Sequence, residues 1–259
     1  MVRSFVCTAL VLRVRPSGES NRDVWFLGAG EGVLRATVFG GPKSRLRSHV
    51  APFHRGRLWF YHDPVRDSRK VTDFDVEAWR PGIRESYERT MAADAVAETI
   101  LTSQGGGGAW EESFRLGDRT LSALEEAGEP DCLPVFLRFL WEWTDILGSR
   151  PEFHCAACGK DFATGGEAAA VKEAGESLWY SPREGGFLCA ACNGISGGDA
   201  AGPEAGGLLP LGPGARRWLA AVGTPGPLLD PASLRELRAT LTGMVARILG
   251  RRPGTWDLV

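Results

Sequence analysis

The sequence predicts an α+β fold of several domains: an N-terminal β-barrel of the OB-fold type, a helical-bundle domain and a four-cysteine zinc-finger insertion. Three observations predict it: five short β-rich stretches in the first 80 residues, an apolar period of four that starts after Pro81-Gly82, and two Cys-x-x-Cys pairs. The bounds drawn from these shifts are 1–80 for the barrel, 81–150 with 210–250 for the bundle, and 151–200 for the insertion.

The strands come first. SFVCTALVLRVRP mixes β-branched and apolar residues with partial alternation, and DVWFLGA and GVLRATVFG flank a tight GAGEG turn that reads as a hairpin. GRLWFYHD and KVTDFDVEAW complete the set across the turn-prone DPVRDS. Five strands in about 80 residues suit a small closed or partly closed barrel; on strand count alone an SH3-like barrel is the rival. Ile83, Tyr87, Met91 and Ala95 then recur every four residues, which predicts an amphipathic helix over 83–103 that the Gly105–Gly108 run ends. Trp110, Phe114, Leu121 and Leu124 mark a second helix, stopped near Gly128-Glu129-Pro130. The third, 133–147, is apolar on nearly every face and belongs at a bundle centre, with Gly148 placed for its C-terminal cap. Residues 197–214 read as a Gly/Pro/Ala loop. The last helix starts with Asp230 as cap and Pro231 in its first turn, and carries a stripe of Leu234, Leu237, Leu241, Val245 and Ile248. Folding that helix back on the bundle leaves the cysteine segment as an insertion.

FHCAACGK and FLCAACNG give the pairs Cys155/Cys158 and Cys189/Cys192, with 30 residues between them. Four thiolates suit one tetrahedral Zn²⁺, and each Cys-x-x-Cys turn offers two sulfurs to the same ion. The rivals are two separate redox sites or an iron–sulfur cluster. A set of four cysteines is closed, so the expected zinc is structural, one per chain; catalytic zinc keeps an open position. The remaining thiols, Cys7 and Cys132, lie in apolar surroundings and read as core.

Charge is unevenly spread. Residues 1–82 hold 14 Arg/Lys against 8 Asp/Glu, a balance of +6, within a chain whose formal net charge is −2. No apolar run approaches the roughly 20 residues that span a bilayer, and the N-terminal Arg3 and FVCTALVL, followed at once by Arg13 and Arg15, do not read as a signal peptide. A cytoplasmic location is expected, where thiols stay reduced and paired cysteines point to metal or redox chemistry rather than to disulfides. No Walker loop, Gly-x-Ser-x-Gly or His-Glu-x-x-His occurs, and the four histidines form no recognisable relay. A binding protein is expected rather than an enzyme.

Residues 35–57 contain six basic residues, two histidines and no carboxylate. Lys43, Arg45 and Arg47 fall in the expected loop between the third and fourth strands, and Arg35 and Arg57 lie on the flanking strands. Such cations on a small barrel form a groove for a phosphate backbone, with Trp25, Phe26, Trp59, Phe60 and Tyr61 as candidate stackers, about half of which alternation assigns to the core. An adaptor whose basic loop meets an acidic protein is the rival, and a zinc-dependent nuclease or hydrolase is the second. ALVLRVRPSGESNRDVWFL and GGPKSRLRSHVAPF resemble the RecO family of bacterial recombination mediators, and the helices, cysteine insertion and closing helix follow in that family's order. The family is often lysine-rich where this chain has only Gly-Pro-Lys. The resemblance implies single- and double-stranded DNA as ligands, strand annealing, and loading of RecA with RecR on DNA coated by SSB, in the cytoplasm at the nucleoid. Carried onto this chain, it makes Arg35, Lys43, Arg45, Arg47 and Arg57 the DNA contacts. It also implies a site for the SSB C-terminal tail in the helical domain, for which Arg138 beside Phe136 and Phe139 is the candidate.

Overall fold

The computed structural model describes residues 3–41, 44–162, 178–193, 207–221 and 229–259. Contacts divide the chain into two compact units, Met1–Phe139 with Pro253–Val259, and Leu140–Arg252. That division falls inside one continuous helix, Cys132–Ile146, and not at the Pro- and Gly-rich punctuation from which the sequence bounds were drawn.

In the first unit, strands β1 (Ser4–Ser17), β2 (Asn21–Gly28), β3 (Gly32–Val38), β4 (Arg55–Asp63) and β5 (Ser68–Ala78) close into a barrel of order β1-β2-β3-β5-β4. β1 closes on β4 antiparallel, and β3 meets β5 in parallel at Thr37 and Lys70. This is the OB-like barrel that the strand spacing predicts. Alternation fills its interior: Ala9, Val11, Val24, Phe26, Leu34, Ala36, Val38, Leu58, Phe60 and Phe74 form one buried cluster. The GAGEG turn pairs Gly28 with Gly32, and the positive φ of Gly30 (73°) and Gly32 (74°) explains its glycines.

The expected loop between β3 and β4 is instead partly a one-turn helix, α1 (Arg45–His49). The apolar side chain of Leu46 packs against the barrel core, and Val50 behind it is 1% exposed. Burying those two residues against the barrel is what shapes a run that composition alone marks as basic loop.

The expected helix 83–103 is also two helices, α2 (Pro81–Arg84) and α3 (Tyr87–Thr102). Ser86 is extended, and its Oγ accepts the Arg89 N–H at 3.4 Å, so a cap interrupts the apolar period. α4 (Trp110–Glu126) and α5 (Cys132–Ile146) follow, with Phe136, Phe139, Leu140, Trp141 and Trp143 of α5 all buried. The chain end returns to this unit: Trp256 is fully buried and its indole N–H reaches Thr99 Oγ1 at 3.0 Å. Thr255 Oγ1 and N both donate to Glu98 Oε2.

At the end of β5, Trp79 is flanked edge-on by His49 and His54, with ring centroids at 5.3 and 5.0 Å. His54 is 1% exposed; its Nδ1 donates to the His49 carbonyl at 2.7 Å, so its Nε2 accepts from Arg84 Nη2 at 2.6 Å. Burial lowers the His54 pKa, with the Arg84 and Arg80 charges adding to the effect. The unfolded chain therefore takes up a proton below about pH 6.5 that the folded chain refuses, so stability is full above that value and falls as the pH drops towards the lower folded pKa. Melting temperatures of the chain and of His54→Leu between pH 7 and 5 check this: the parent loses stability over that window, and the variant, though less stable, loses less of it.

In the second unit, β6 (Leu178–Ser181), β7 (Gly186–Leu188) and β8 (Leu209–Leu211) form a sheet of order β7-β6-β8. A short helix α6 (Ala190–Asn193) follows β7, and α7 (Pro213–Ala220) and α8 (Pro231–Leu249) pack with β8. α8 starts as its sequence predicts: Asp230 Oδ1 accepts from the N–H groups of Ala232 and Ser233 at 2.9 and 3.0 Å. Leu237, Leu241 and Val245 of its stripe are buried. Among the described residues, no helix is long and apolar enough to cross a membrane.

Candidate nucleic-acid interface and metal centre

Alternation along β2 and β3 turns Val24, Phe26, Leu34 and Ala36 into the barrel and leaves Asp23, Trp25, Arg35 and Thr37 outside. Antiparallel register sets Trp25 beside Arg35 on one flank and Arg13 on the other. The guanidinium carbons of Arg15 and Arg35 lie 5.7 and 5.3 Å from the Trp25 ring centroid, so the indole sits between two cations. Such contacts contribute about 0.5–1 kcal/mol each at exposed sites and hold the guanidinium planes in place. Further along, Lys70 Nζ stands 5.1 Å from the ring of Phe39, which is 47% exposed. Cations from β1, β3 and β5 thus stand against the rings of Trp25 on β2 and Phe39 just past β3.

Asp23 is the acid on this face. Arg35 Nη2 donates to its Oδ2 at 2.6 Å and Thr37 Oγ1 to its Oδ1 at 3.1 Å, and the Arg35 bond chiefly holds its carboxyl below the usual range. The Arg35 side chain nonetheless remains 62% exposed. An exposed ion pair of this kind contributes little and gives way readily to a competing anion. At the barrel end, Arg22 Nη1 donates to the Arg47 carbonyl at 3.3 Å; burial and then the Arg47 charge lower the Arg22 pKa.

Of the five cations singled out in the sequence, the four that are described do not share one surface. Arg35 lies on β3 and Arg57 on β4, with β5 between them on one side of the barrel and β1 and β2 on the other. Arg57 stands 5.9 Å from the Trp59 ring and pairs across the strands with Asp75. Arg45 donates from Nε to His49 Nε2 at 3.3 Å. Lys43 lies outside the described residues. Of the candidate stackers, Phe26 and Phe60 are core, whereas Trp25, Trp59 and Tyr61 are not. Arg15, Arg22 and Lys70 escaped the sequence reading because they sit in three different strands; only pairing brings them near the same face. Phe136 and Phe139 are each 1% exposed and stack at 6.4 Å, with Trp256 against Phe136 at 6.0 Å. That aromatic pair is core, so it offers no open site beside Arg138.

The metal centre is local and compact. The Sγ atoms of Cys155, Cys158, Cys189 and Cys192 all lie within 4.8 Å of one another, and these residues could hold a metal ion. Each pair sits in a tight turn: Gly159 N–H returns to Cys155 O at 2.8 Å with φ at 71°, and Cys192 N–H to Cys189 O at 3.0 Å. The second turn is carried to the first by β7, whose Phe187 bridges to Cys155 and stacks on Phe153 at 5.5 Å. Metal–sulfur bonds of about 2.3 Å in a tetrahedron require sulfur separations of about 3.8 Å, and Cys158 Sγ to Cys189 Sγ is 3.8 Å. Four sulfurs this close have room for a single ion and not for a cluster of irons, and the two pairs form one group rather than two. Burial opposes the Cys155 thiolate, but backbone N–H groups of Cys189, Cys158 and Ala157 outweigh it and bring the thiol down to about 6. The Cys189 N–H lies 3.4 Å from that sulfur. His154 is turned away to Glu152 at 3.2 Å. Cys7, by contrast, is pushed up to about 11 by burial, and Cys132 is raised by the same cause.

Comparison with known proteins divides the chain just after the barrel. Residues 1–77 match the family described as Recombination protein O N terminal, and residues 84–257 match Recombination protein O C terminal. The DNA repair protein RecO of a Nocardioides species is 27% identical over 249 residues, which is 92% of this chain and 90% of that protein. The protein of the same name from Synechococcus sp. (strain JA-3-3Ab) is 26% identical over 196 residues, 71% of this chain and 61% of its own length. That of Desulfitobacterium hafniense is 28% identical over 189 residues, covering 71% of this chain and 63% of the relative. The chain therefore spans less than two thirds of the latter two relatives.

Proposed function

The chain belongs to the recombination protein O family, and on that premise we propose that it is a DNA-binding mediator of recombinational repair that changes no covalent bond. The observation that carries this reading is the outward row Arg15–Trp25–Arg35 across β1, β2 and β3 of a closed five-stranded barrel, continued by Phe39 just past β3 and Lys70 on β5. That is the face on which barrels of this type bind oligonucleotides. Cations neutralise phosphates, rings stack on bases without regard to sequence, and weak contacts of both kinds let two complementary strands slide into register. Arg35 and Arg47 are the sequence-derived contacts that we keep for this face, with Arg15 and Arg22 added; Arg45 and Arg57 serve a neighbouring surface. The partners are single- and double-stranded DNA, RecR and the acidic C-terminal tail of SSB, and the outcome is RecA loading on SSB-coated strands at the nucleoid. A purely protein-binding adaptor and a nuclease are the readings that the experiments below would bring forward.

We assign Zn²⁺ to the four cysteines, Cys155, Cys158, Cys189 and Cys192, as one structural ion. A closed sulfur set supplies a crosslink and leaves no position for water or substrate.

The test is fluorescence polarisation of a labelled single strand across a salt series. Each phosphate neutralised on a single strand adds about 0.7 to the slope of log affinity against log salt. Arg15→Ala with Arg35→Ala should flatten that slope by about 1.4 and weaken binding at every salt concentration. Asp23→Asn, which frees Arg35, should do the opposite. An unchanged slope in both variants would remove DNA from this face. Annealing of complementary strands precoated with SSB, with and without RecR, tests the mediator role, and intact labelled DNA after long incubation with the metal-loaded protein tests the absence of nuclease chemistry.

A further inference from the structure

A cleft of about 280 Å³ opens between α1, β4 and β5, lined by Arg45, Leu46, His49, Trp59, Asp73 and Asp75, with Phe74 behind. It lies apart from the β2–β3 face described above, since β4 and β5 are its strands. The volume falls just under the roughly 300–1,000 Å³ of clefts that take drug-sized ligands; it suits one flat ring system.

Its chemistry is unusual for a surface meant only to attract phosphate. Trp59 and Asp73 are cross-strand partners, as are Arg57 and Asp75. Regular alternation puts Asp73 and Asp75 on the same outer side of β5, either side of the buried Phe74. Asp73 Oδ1 is taken up by the Phe74 N–H at 2.8 Å. Among the described residues, the other Asp73 oxygen and both oxygens of Asp75 have no hydrogen-bond or ion-pair partner, and neither has the Trp59 indole N–H. On the opposite wall, His49 Nδ1 donates to the Phe74 carbonyl at 3.1 Å, so its Nε2 is the acceptor for Arg45. Arg57 lies over the ring of Trp59, which lines the cleft.

Open carboxylate oxygens repel a phosphate but accept from a base edge. Thymine offers a single N–H between two carbonyls that carboxylates repel. Adenine and cytosine offer one amino group each. Guanine alone presents two adjacent donors, the ring N1–H and the 2-amino group, which match the two oxygens of one carboxylate. We propose that this cleft is a subsite for an unpaired guanine: the base stacks on Trp59, its donor edge meets Asp75 with Asp73 beside it, and Arg45 and Arg57 hold the flanking phosphates. This rests on the DNA-binding reading and adds to it a base preference that the β2–β3 face cannot supply.

The test compares a labelled thymine oligonucleotide with the same strand carrying spaced, unpaired guanines, in polarisation titrations on the full chain. The guanine strand should bind about tenfold tighter, within the discrimination that one bidentate base contact provides. Asp75→Asn should bring the two strands within about twofold of each other by weakening the guanine strand alone. Simple charge removal would instead strengthen both, so that result overturns the subsite, as do equal affinities for the parent. Trp59→Leu gives a second reading and should also narrow the gap. If neither strand binds the parent, the DNA reading itself falls. If an arginine-rich peptide binds, is released by Asp75→Asn, and no guanine preference exists, the cleft belongs to a protein partner.

Discussion

A Cys155→Ser variant is expected to lose the bound metal and, with it, the folded hairpin between residues 178 and 193, while the salt dependence of DNA binding stays that of the parent. The argument starts from what holds this region without the ion. β6 and β7 have four and three residues, and two-stranded hairpins of that size are marginal in water. Phe187, Leu178 and Leu211 are buried, but three short strands enclose too little apolar surface to order both cysteine turns. The four sulfurs lie within 4.8 Å, and Cys155, Cys189 and Cys192 are 0%, 4% and 7% exposed. As thiolates without an ion they would repel one another, three of them buried and only Cys158 open to solvent. Metal binding in isolated zinc-finger peptides is worth about 10–16 kcal/mol at neutral pH, and folding draws on it directly. Elemental analysis should give one zinc per parent chain and well under half of that for the variant. Limited proteolysis should cut the variant within 178–193 first. Strong chelation should reproduce the effect, and a variant that keeps both its metal and its protease resistance would dismiss the ligand set.

The parts of this protein that the sequence discloses are those whose cause is local. Four cysteines in two identical spellings need only their spacing to be read as one site. Asp230 and Pro231 announce a helix start by chemistry acting over three residues, and the GAGEG turn does so by the backbone freedom of glycine at φ of 73° and 74°. The candidate interface is different. Trp25 gains its two guanidiniums from β1 and β3, and nothing in the string VRPSGESNRDVW says that residue 15 and residue 35 will meet the same ring. A contiguous basic run is conspicuous in print, yet alternation and the α1 turn send Arg35 and Arg57 to different strands and Arg45 and Arg47 to a helix between them. The expected helix 83–103 failed for a smaller reason: Ser86 is as good a cap as it is a helix interior residue, and periodicity is blind to that choice. Phe136 and Phe139 looked available because helix periodicity cannot foresee Trp256, more than a hundred residues later, packing against Phe136.

The same blindness hides Asp118, whose replacement by alanine should be the most damaging single change in the first unit. Arg80 has a left-handed backbone with φ at 45°, and its side chain is 1% exposed. Its Nη2 pairs with Asp118 Oδ1 and reaches Ser122 Oγ at 3.2 Å, while its Nη1 donates to the Phe53 carbonyl at 2.8 Å. Phe53 is itself left-handed, with φ at 71°, an expensive conformation for an aromatic residue that the Arg80 bond helps to hold. Asp118 Oδ2 accepts Arg55 Nη1 at 2.9 Å, so one carboxylate on α4 joins the start of β4, the end of β5 and the approach to β4. Removing it leaves a buried guanidinium without a counter-charge, which costs about 3–5 kcal/mol. At about 2–4 °C per kcal/mol for a chain of this size, melting should fall by on the order of 10 °C. Asp118→Leu combined with Arg80→Met removes both charges and should recover much of the loss, because the penalty belongs to the orphaned charge and not to the missing pair. A change in stability of only about 0.5 kcal/mol in Asp118→Ala, that of an ordinary surface substitution, would mean that water reaches Arg80 after all and that packing alone fixes the barrel against α4.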